Sequence, residues 1–326
     1  MSTVDDSGAH PSGGSVGANK FSNPAFDANN TSFSVSAVPA TGWVEVPGND
    51  TYSTSNFLAM KYEAKCASTS DPTTGLATTD TGYRTYSDST TSCTSANSKQ
   101  VVSVASGFPI ANVSQVNALT RCQSVGVGGT SAHLFSNDEW MTIARNAEAQ
   151  PTNWSLGSVG NGYLYAGHND NSPALARVAS TNDANRSAYT DASGTTETLT
   201  TATNTANGSS GTVGNQVRTF NLSNGSVIWD IAGNVWEWTN NTILGKDEPT
   251  ITATPGFAWR EFTALTSYGT LTYDKVRPAG NTYDANHGMG RIYSDGTVSN
   301  NTSYAFIRGG GLELWREYRG VRVAFG

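Results

Sequence analysis

Five of the chain's eight tryptophans, Trp229, Trp236, Trp238, Trp259 and Trp315, fall within the last hundred of its 326 residues. Each buries roughly 150–250 Å² when it enters a core. So much apolar surface in one stretch must be brought inside, which predicts a core drawn largely from the C-terminal third. From Val227 onward the chain reads as short strand-like runs separated by Gly and Asn turns. It ends in "YAFIRGG" and "YRGVRVAFG", two predicted strands. Trp236 and Trp238 alternate along an extended segment and are assigned to the core.

The remainder is punctuated by polar stretches. Residues 1–40 offer almost nothing to bury and are read as a flexible N-terminal arm, leaving 41–326 as one folded domain. "GWVEV" (Gly42–Val46) alternates like a strand, and "FLAMKYEAKC" (Phe57–Cys66) is a second candidate strand. Residues 67–99 read as a Ser/Thr/Asp-rich loop tethered through Cys93, and 176–216 as a long surface insertion. Two helices are predicted. The first carries Val113, Val116, Leu119 and Cys122 or Val125 at helical spacing and stops at Gly126. The second opens with a capping box, Ser136 and Glu139, buries Trp140, Ile143, Ala144 and Ala147, and ends at Pro151. No internal repeat of fixed period is visible.

Composition narrows the function classes. Only 14% of residues are charged, against about 25% usually, and 37% are hydrophobic; Ser, Thr, Asn and Gly fill the deficit. A net charge of -7 with few lysines lacks the basic field that nucleic acid or an anionic membrane demands. No apolar run approaches the roughly 18–20 residues of a spanning helix, so no membrane insertion is expected. The first thirty residues carry no basic-then-apolar leader. An exported form would be mature, trimmed or carried on a particle. Cys66, Cys93 and Cys122 allow one bridge and one free thiol, with three choices of pair, and match no CxxC motif.

Four segments in fixed order carry a family resemblance: "LFSNDEWMTIARN" (Leu134–Asn146), "IWDIAGNVWEWTNN" (Ile228–Asn241), "FIRGGG" (Phe306–Gly311) and "RGVRVAFG" (Arg319–Gly326). The order resembles the formylglycine-generating-enzyme, or sulfatase-modifying-factor, superfamily over roughly residues 42–326. The resemblance implies an α+β fold of C-type-lectin-like design, with two helices around small, irregular, mainly antiparallel sheets and long loops.

That superfamily holds enzymes and binders, so the site must decide. Its oxidases use a late cysteine pair, and nothing after Cys122 is a cysteine. Its sulfoxide synthases use three histidines at an iron site, and His10, His133, His168 and His287 show no such spacing. Asp138 and Glu139 read as helix N-terminal charges. The expectation is a non-enzyme without a catalytic cofactor. "GMGRIYSDG" (Gly288–Gly296) and "MKYEAKC" resemble instead the branch of variable proteins diversified by retroelements. In that branch a solvent-facing patch between the "RGG" and terminal strands binds a receptor. The matching residues here are Leu312, Glu313, Leu314, Trp315, Arg316, Glu317, Tyr318 and Arg319. Their partner would be a protein or glycan on another cell or particle, and the location an extracellular surface or virion. The stretch is shorter than that family carries. Adenine-directed diversification of Asn-type codons yields Tyr, Leu or Arg, but not Trp or Glu when the third base is a pyrimidine. Glu313, Trp315 and Glu317 are therefore invariant positions, or the copy is not a standard diversified segment. The alternatives are an oxidoreductase relative of the formylglycine-generating type and a structural surface or virion protein. The resemblance further implies a structural calcium ion on the Asp230 and Glu237 side chains with backbone oxygens of Ile231, Gly233 and Val235.

Arg308 and Arg322, in Gly-flanked strands, are expected to satisfy buried carbonyls or a carboxylate, and Gly309, Gly310 and Gly311 to permit a close approach or bulge. Asn-x-Ser/Thr triplets at Asn112, Asn153, Asn207 and Asn300 arise readily by chance in so Asn-, Ser- and Thr-rich a chain.

Overall fold

The structure, a computed structural model, describes residues 20–21, 33–34, 42–77, 79, 85–127, 130–161, 164–165, 167–168, 178–184, 186, 188–190, 196–198, 217–247, 258–261, 291–294, 303–309, 319–320 and 323–325. The fold is α+β, with two α-helices and small, mainly antiparallel sheets among the described residues.

A four-stranded sheet joins the two ends of the domain. Strand β1 (Trp43–Val46) pairs antiparallel with β2 (Phe57–Met60). The strands β3 (Lys65–Ser68), β4 (Asp71–Gly75) and β5 (Lys99–Val102) form a separate antiparallel sheet with β3 in the middle. Helix α1 (Gln115–Gln123), strand β6 (His133–Leu134) and helix α2 (Asn137–Glu148) follow. Then come the hairpin β7 (Thr219–Asn221) and β8 (Val227–Trp229), and the long strand β9 (Trp236–Leu244). The last elements are β10 (Ser303–Arg308), β11 (Arg319–Gly320) and β12 (Val323–Phe325). Strand β12 inserts between β2 and β6, giving the order β6–β12–β2–β1. The C-terminal run Val323–Phe325 thus becomes an inner strand of the sheet that begins at Trp43.

Helix α2 forms as its local chemistry dictates. The Ser136 hydroxyl accepts the Glu139 N–H at 3.1 Å, and the Glu139 carboxylate accepts the Ser136 N–H at 2.7 Å. Trp140, Ile143, Ala144 and Ala147 are all buried, packed with Val44, Phe57, Phe135, Phe220 and Ile228. Pro151 opens a 3-10 turn that ends the element.

Other expectations are corrected. The first helix spans Gln115–Gln123, capped by the Ser114 hydroxyl, so Val113 and Val125 lie outside it. Val116 is 69% exposed, and the buried face is Ala118, Arg121 and Cys122. The helix is phased by Arg121, which forks onto the buried Asp88 carboxylate at 3.0 and 3.1 Å. A burial stripe of valines could not reveal that partner. The run Phe57–Cys66 breaks at 61–64, where peptide groups bond outside the sheet: Trp229 N–H donates to the Lys61 carbonyl, and Ile110 N–H to the Ala64 carbonyl. Residues 67–99, read as a loop, contain all of β4 and parts of β3 and β5. The insertion at 176–216 begins inside the fold: Val178 and Ala179 are buried, and Asp183 pairs with Lys61 at 2.7 Å. Within residues 1–40, Lys20–Phe21 pairs with Phe33–Ser34. Among the described residues, the buried clusters draw mainly on residues 44–222, and Trp229, Trp236 and Trp238 are buried as expected. Trp238 lies in one cluster with Met60, Cys66 and the α1 residues Ala118 and Cys122, and Trp229 in another with Tyr62, Ala105 and Ala179.

Of the three possible bridges, the fold holds Cys66–Cys93, with Cα atoms 5.8 Å apart. Cys122 is free and buried, and burial pushes its thiol far above the ordinary range. The native protein should therefore show no thiol to an aromatic disulfide reagent, and one per chain once unfolded in denaturant. Closing a loop of this length stabilises by roughly 3–4 kcal/mol in the chain-entropy account. A Cys66→Ser/Cys93→Ser variant should lose about that much in urea unfolding; wild-type stability would mean the bridge does not constrain the chain.

Candidate functional site

The site is organised by β9 and the turn that enters it. That turn, residues 229–235, cannot be built from ordinary backbone. Asp230, Gly233 and Asn234 all take positive φ, at 53°, 88° and 65°. Glycine does this freely and Asn or Asp tolerably. The conformation is held from outside. The Glu63 carboxylate accepts the Asn234 side-chain amide at 2.5 Å and the Val235 N–H at 3.1 Å, and Asn234 N–H donates to the His168 carbonyl at 2.6 Å. The two motifs "MKYEAKC" and "GNVWEW" thus meet in space.

Asp230 has a different partner. Arg218 grips both of its carboxylate oxygens at 2.6 Å and donates a third bond to the Val178 carbonyl at 2.7 Å. Arg218 and Asp230 are both fully buried. The guanidinium also lies 5.6 Å from the Trp229 ring. Alongside, the Trp229 indole N–H donates to Asp183 at 2.8 Å. Burial and the Asp183 charge push the Tyr62 phenol up to about 12.

Strand β9 carries neighbours on both edges. Antiparallel β10 places Arg308 opposite Glu237, and parallel β11 places Gly320 opposite the same residue. The chain between β10 and β11 therefore leaves and returns at one point of the scaffold. Arg308 is fully buried, and its Nε donates to the Asn137 side-chain carbonyl at 2.9 Å, with a second bond from Nη2. Its guanidinium lies 5.2 Å from the Trp140 ring. Burial pushes it down to about 9, against the opposing influence of Tyr52 and Asp138. Arg308 thus satisfies a buried carbonyl, as expected, but the carbonyl belongs to the first residue of α2.

Three of the five residues suggested for calcium share one space, and a fourth, Asp230, is engaged elsewhere. A Cβ added at Gly309, whose φ is 92°, would lie 3.4 Å from the Ile231 carbonyl oxygen, 3.7 Å from a Glu237 carboxylate oxygen and 3.9 Å from the Val235 carbonyl oxygen. These three oxygens converge on one small space, whereas both Asp230 oxygens are engaged by Arg218. No cluster of three or more His, Cys, Asp or Glu side chains suited to a metal occurs among the described residues. Of the suggested binding patch, Leu312, Glu313, Leu314, Trp315, Arg316, Glu317 and Tyr318 lie outside the described residues, as does Arg322. Arg319 is placed by its backbone in β11.

Glu63, Arg218 and Asn137 carry the architecture without having been singled out in the sequence. Glu63 left a trace as the one carboxylate in the run "FLAMKYEAKC". Arg218 and Asn137 left none, since their partners are distant in the chain. No protein-family model, curated protein or solved structure matches the chain.

Removing one member of the buried Arg218–Asp230 pair strands the other. Asp230→Asn should cost on the order of 3–5 kcal/mol in urea unfolding. A double replacement by apolar residues, Arg218→Met with Asp230→Leu, should cost much less than the sum of the single changes.

Proposed function

We propose that this chain is a non-enzymatic binding protein of C-type-lectin-like fold, akin to the retroelement-diversified variable proteins, which displays the residues between β10 and β11 to a receptor. The observation that carries the reading is the shared register of Arg308 and Gly320 on Glu237. A segment whose two ends are held against one buried strand can change sequence without disturbing the core. The buried Arg308 guanidinium, bound to Asn137 and stacked near Trp140, stiffens one of those ends against α2. The segment itself is rich in Leu, Trp, Tyr and Arg, the last three of which are enriched at binding hot spots.

The receptor is a protein or glycan on another cell or particle, and the chain works at an extracellular surface or on a virion. The Cys66–Cys93 bridge favours an oxidising setting. The cysteines also favour binding over the oxidoreductase alternative: two are joined in a bridge, and the third is a buried thiol that burial keeps protonated. As a purely structural surface or virion protein, the chain would have no need of the aromatic patch.

A structural calcium ion belongs to this reading. Glu237 and the carbonyls of Ile231 and Val235 fit it, since their oxygens face one space beside Gly309; Asp230 is committed to Arg218. Calcium takes mixed carboxylate and carbonyl oxygens of this kind. Chelator should lower the melting temperature, added calcium should restore it, and Glu237→Gln should abolish the response. An unchanged melting temperature with no calcium by elemental analysis would remove the ion from the account.

The binding reading is tested with the whole protein on arrays of glycans and cell-surface proteins. Trp315→Ala and Tyr318→Ala should each weaken capture by roughly 2 kcal/mol or more while leaving the unfolding midpoint in place. Loss of folding in Trp315→Ala would put that ring in the core. Undiminished binding would move the surface elsewhere, most plainly to 176–216.

A further inference from the structure

The amine that accompanies Glu63 has no part in the binding reading. Lys65 is fully buried, as are Glu63 and Asn234. Lysine is almost never so placed, because its ammonium loses all its water. Its Nζ lies 3.8 Å from the Glu63 Oε2 atom. The same oxygen lies 2.5 Å from the Asn234 side-chain nitrogen. One carboxylate oxygen therefore stands between a primary amine and a primary amide, in a space closed to water. The other oxygen, Oε1, is fixed by the Val235 N–H. The amide's backbone is fixed too, at positive φ and through the His168 carbonyl. Lys65 opens β3 beside the bridged Cys66, its backbone opposite Val102 of β5 and Pro109. Both reactants thus lie beside a shared proton acceptor, and holding two groups side by side favours an intramolecular reaction over its bimolecular counterpart.

We propose that Lys65 and Asn234 become joined by an amide bond between Nζ and Cγ, formed by the chain itself with Glu63 as the proton relay. The Lys65 ammonium gives one proton to the Glu63 carboxylate. Exclusion of water favours the neutral, nucleophilic form of an amine. The Nζ lone pair forms the bond to Asn234 Cγ. The Cγ–Nδ2 bond then breaks, its electron pair staying on nitrogen. That nitrogen receives a proton that Nζ has shed, relayed through the carboxylate, and leaves as ammonia. No oxidant, metal or further reactant is consumed. The product replaces three buried polar groups by a neutral amide beside a carboxyl group. It ties β3 covalently to the turn that enters β9.

Intact mass spectrometry of the purified, reduced and denatured full chain tests this. The wild type should be lighter than its sequence by one ammonia, about 17 Da. Proteolysis should yield one branched peptide containing both Lys65 and Asn234. Lys65→Arg and Glu63→Gln should each restore the full sequence mass. Cyclisation at an Asn-Gly pair such as Asn224–Gly225 would lose the same mass, but it would persist in Lys65→Arg and give no branched peptide. Either that pattern or a wild-type chain of full mass would overturn the proposal. Should the variants fail to fold, the branched peptide of the wild type decides alone.

Discussion

The fold turns on one buried carboxylate. Glu63 stands at the break between β2 and β3 and holds the turn before β9 by its amide nitrogens. That turn includes backbone that would relax if released, since Asp230 and Asn234 both occupy the left-handed region. Such conformations cost of order 1–3 kcal/mol each and persist only when their surroundings over-determine them. Here the surroundings are Glu63 on one side, the Arg218–Asp230 pair on another, and the His168 carbonyl on a third. With the turn set, Trp236 and Trp238 enter the core and β9 is aimed between its two neighbours.

From β9 the constraint passes to both helices. Gln115, at the start of α1, donates to the Thr239 and Asn241 carbonyls, and the Asn137 N–H at the start of α2 donates to the Asn241 side chain. Arg308 completes the circuit, reaching from β10 to Asn137 and the Trp140 ring. Each contact joins groups more than a hundred residues apart in the chain. Both ends of the proposed binding segment therefore rest on a scaffold whose rigidity comes from buried polar pairs as much as from apolar packing. Such pairs are weak evidence of net stability, but breaking one side of them is costly. They specify one geometry, which the proposed binding surface would require.

How far the sequence could be read depended on the range of the forces involved. Helix α2 was legible to its first residue because a capping box and a four-position apolar stripe lie within one short segment. Strands at Trp43–Val46, Ser303–Arg308 and Val323–Phe325 were legible from alternation and their glycines. The phase of α1 was not, because its buried face is set by Asp88, whose carboxylate draws Arg121 inward and leaves Val116 in solvent. Of the suggested calcium set, Glu237, Ile231 and Val235 share a space, while Asp230 was claimed by an arginine twelve residues upstream that carried no local sign of its role.

The sequence by itself determined the two helices, the strand-forming ends and the burial of Trp140, Trp229, Trp236 and Trp238, because these follow from spacing, capping and apolar area within a few turns of chain. Only the tertiary structure decided which cysteines pair, where Arg218 and Glu63 spend their charges, and that Arg308 and Gly320 both lie opposite Glu237. Those outcomes depend on which polar groups lose water together, and that choice is made between residues whose distance in sequence says nothing about their distance in space.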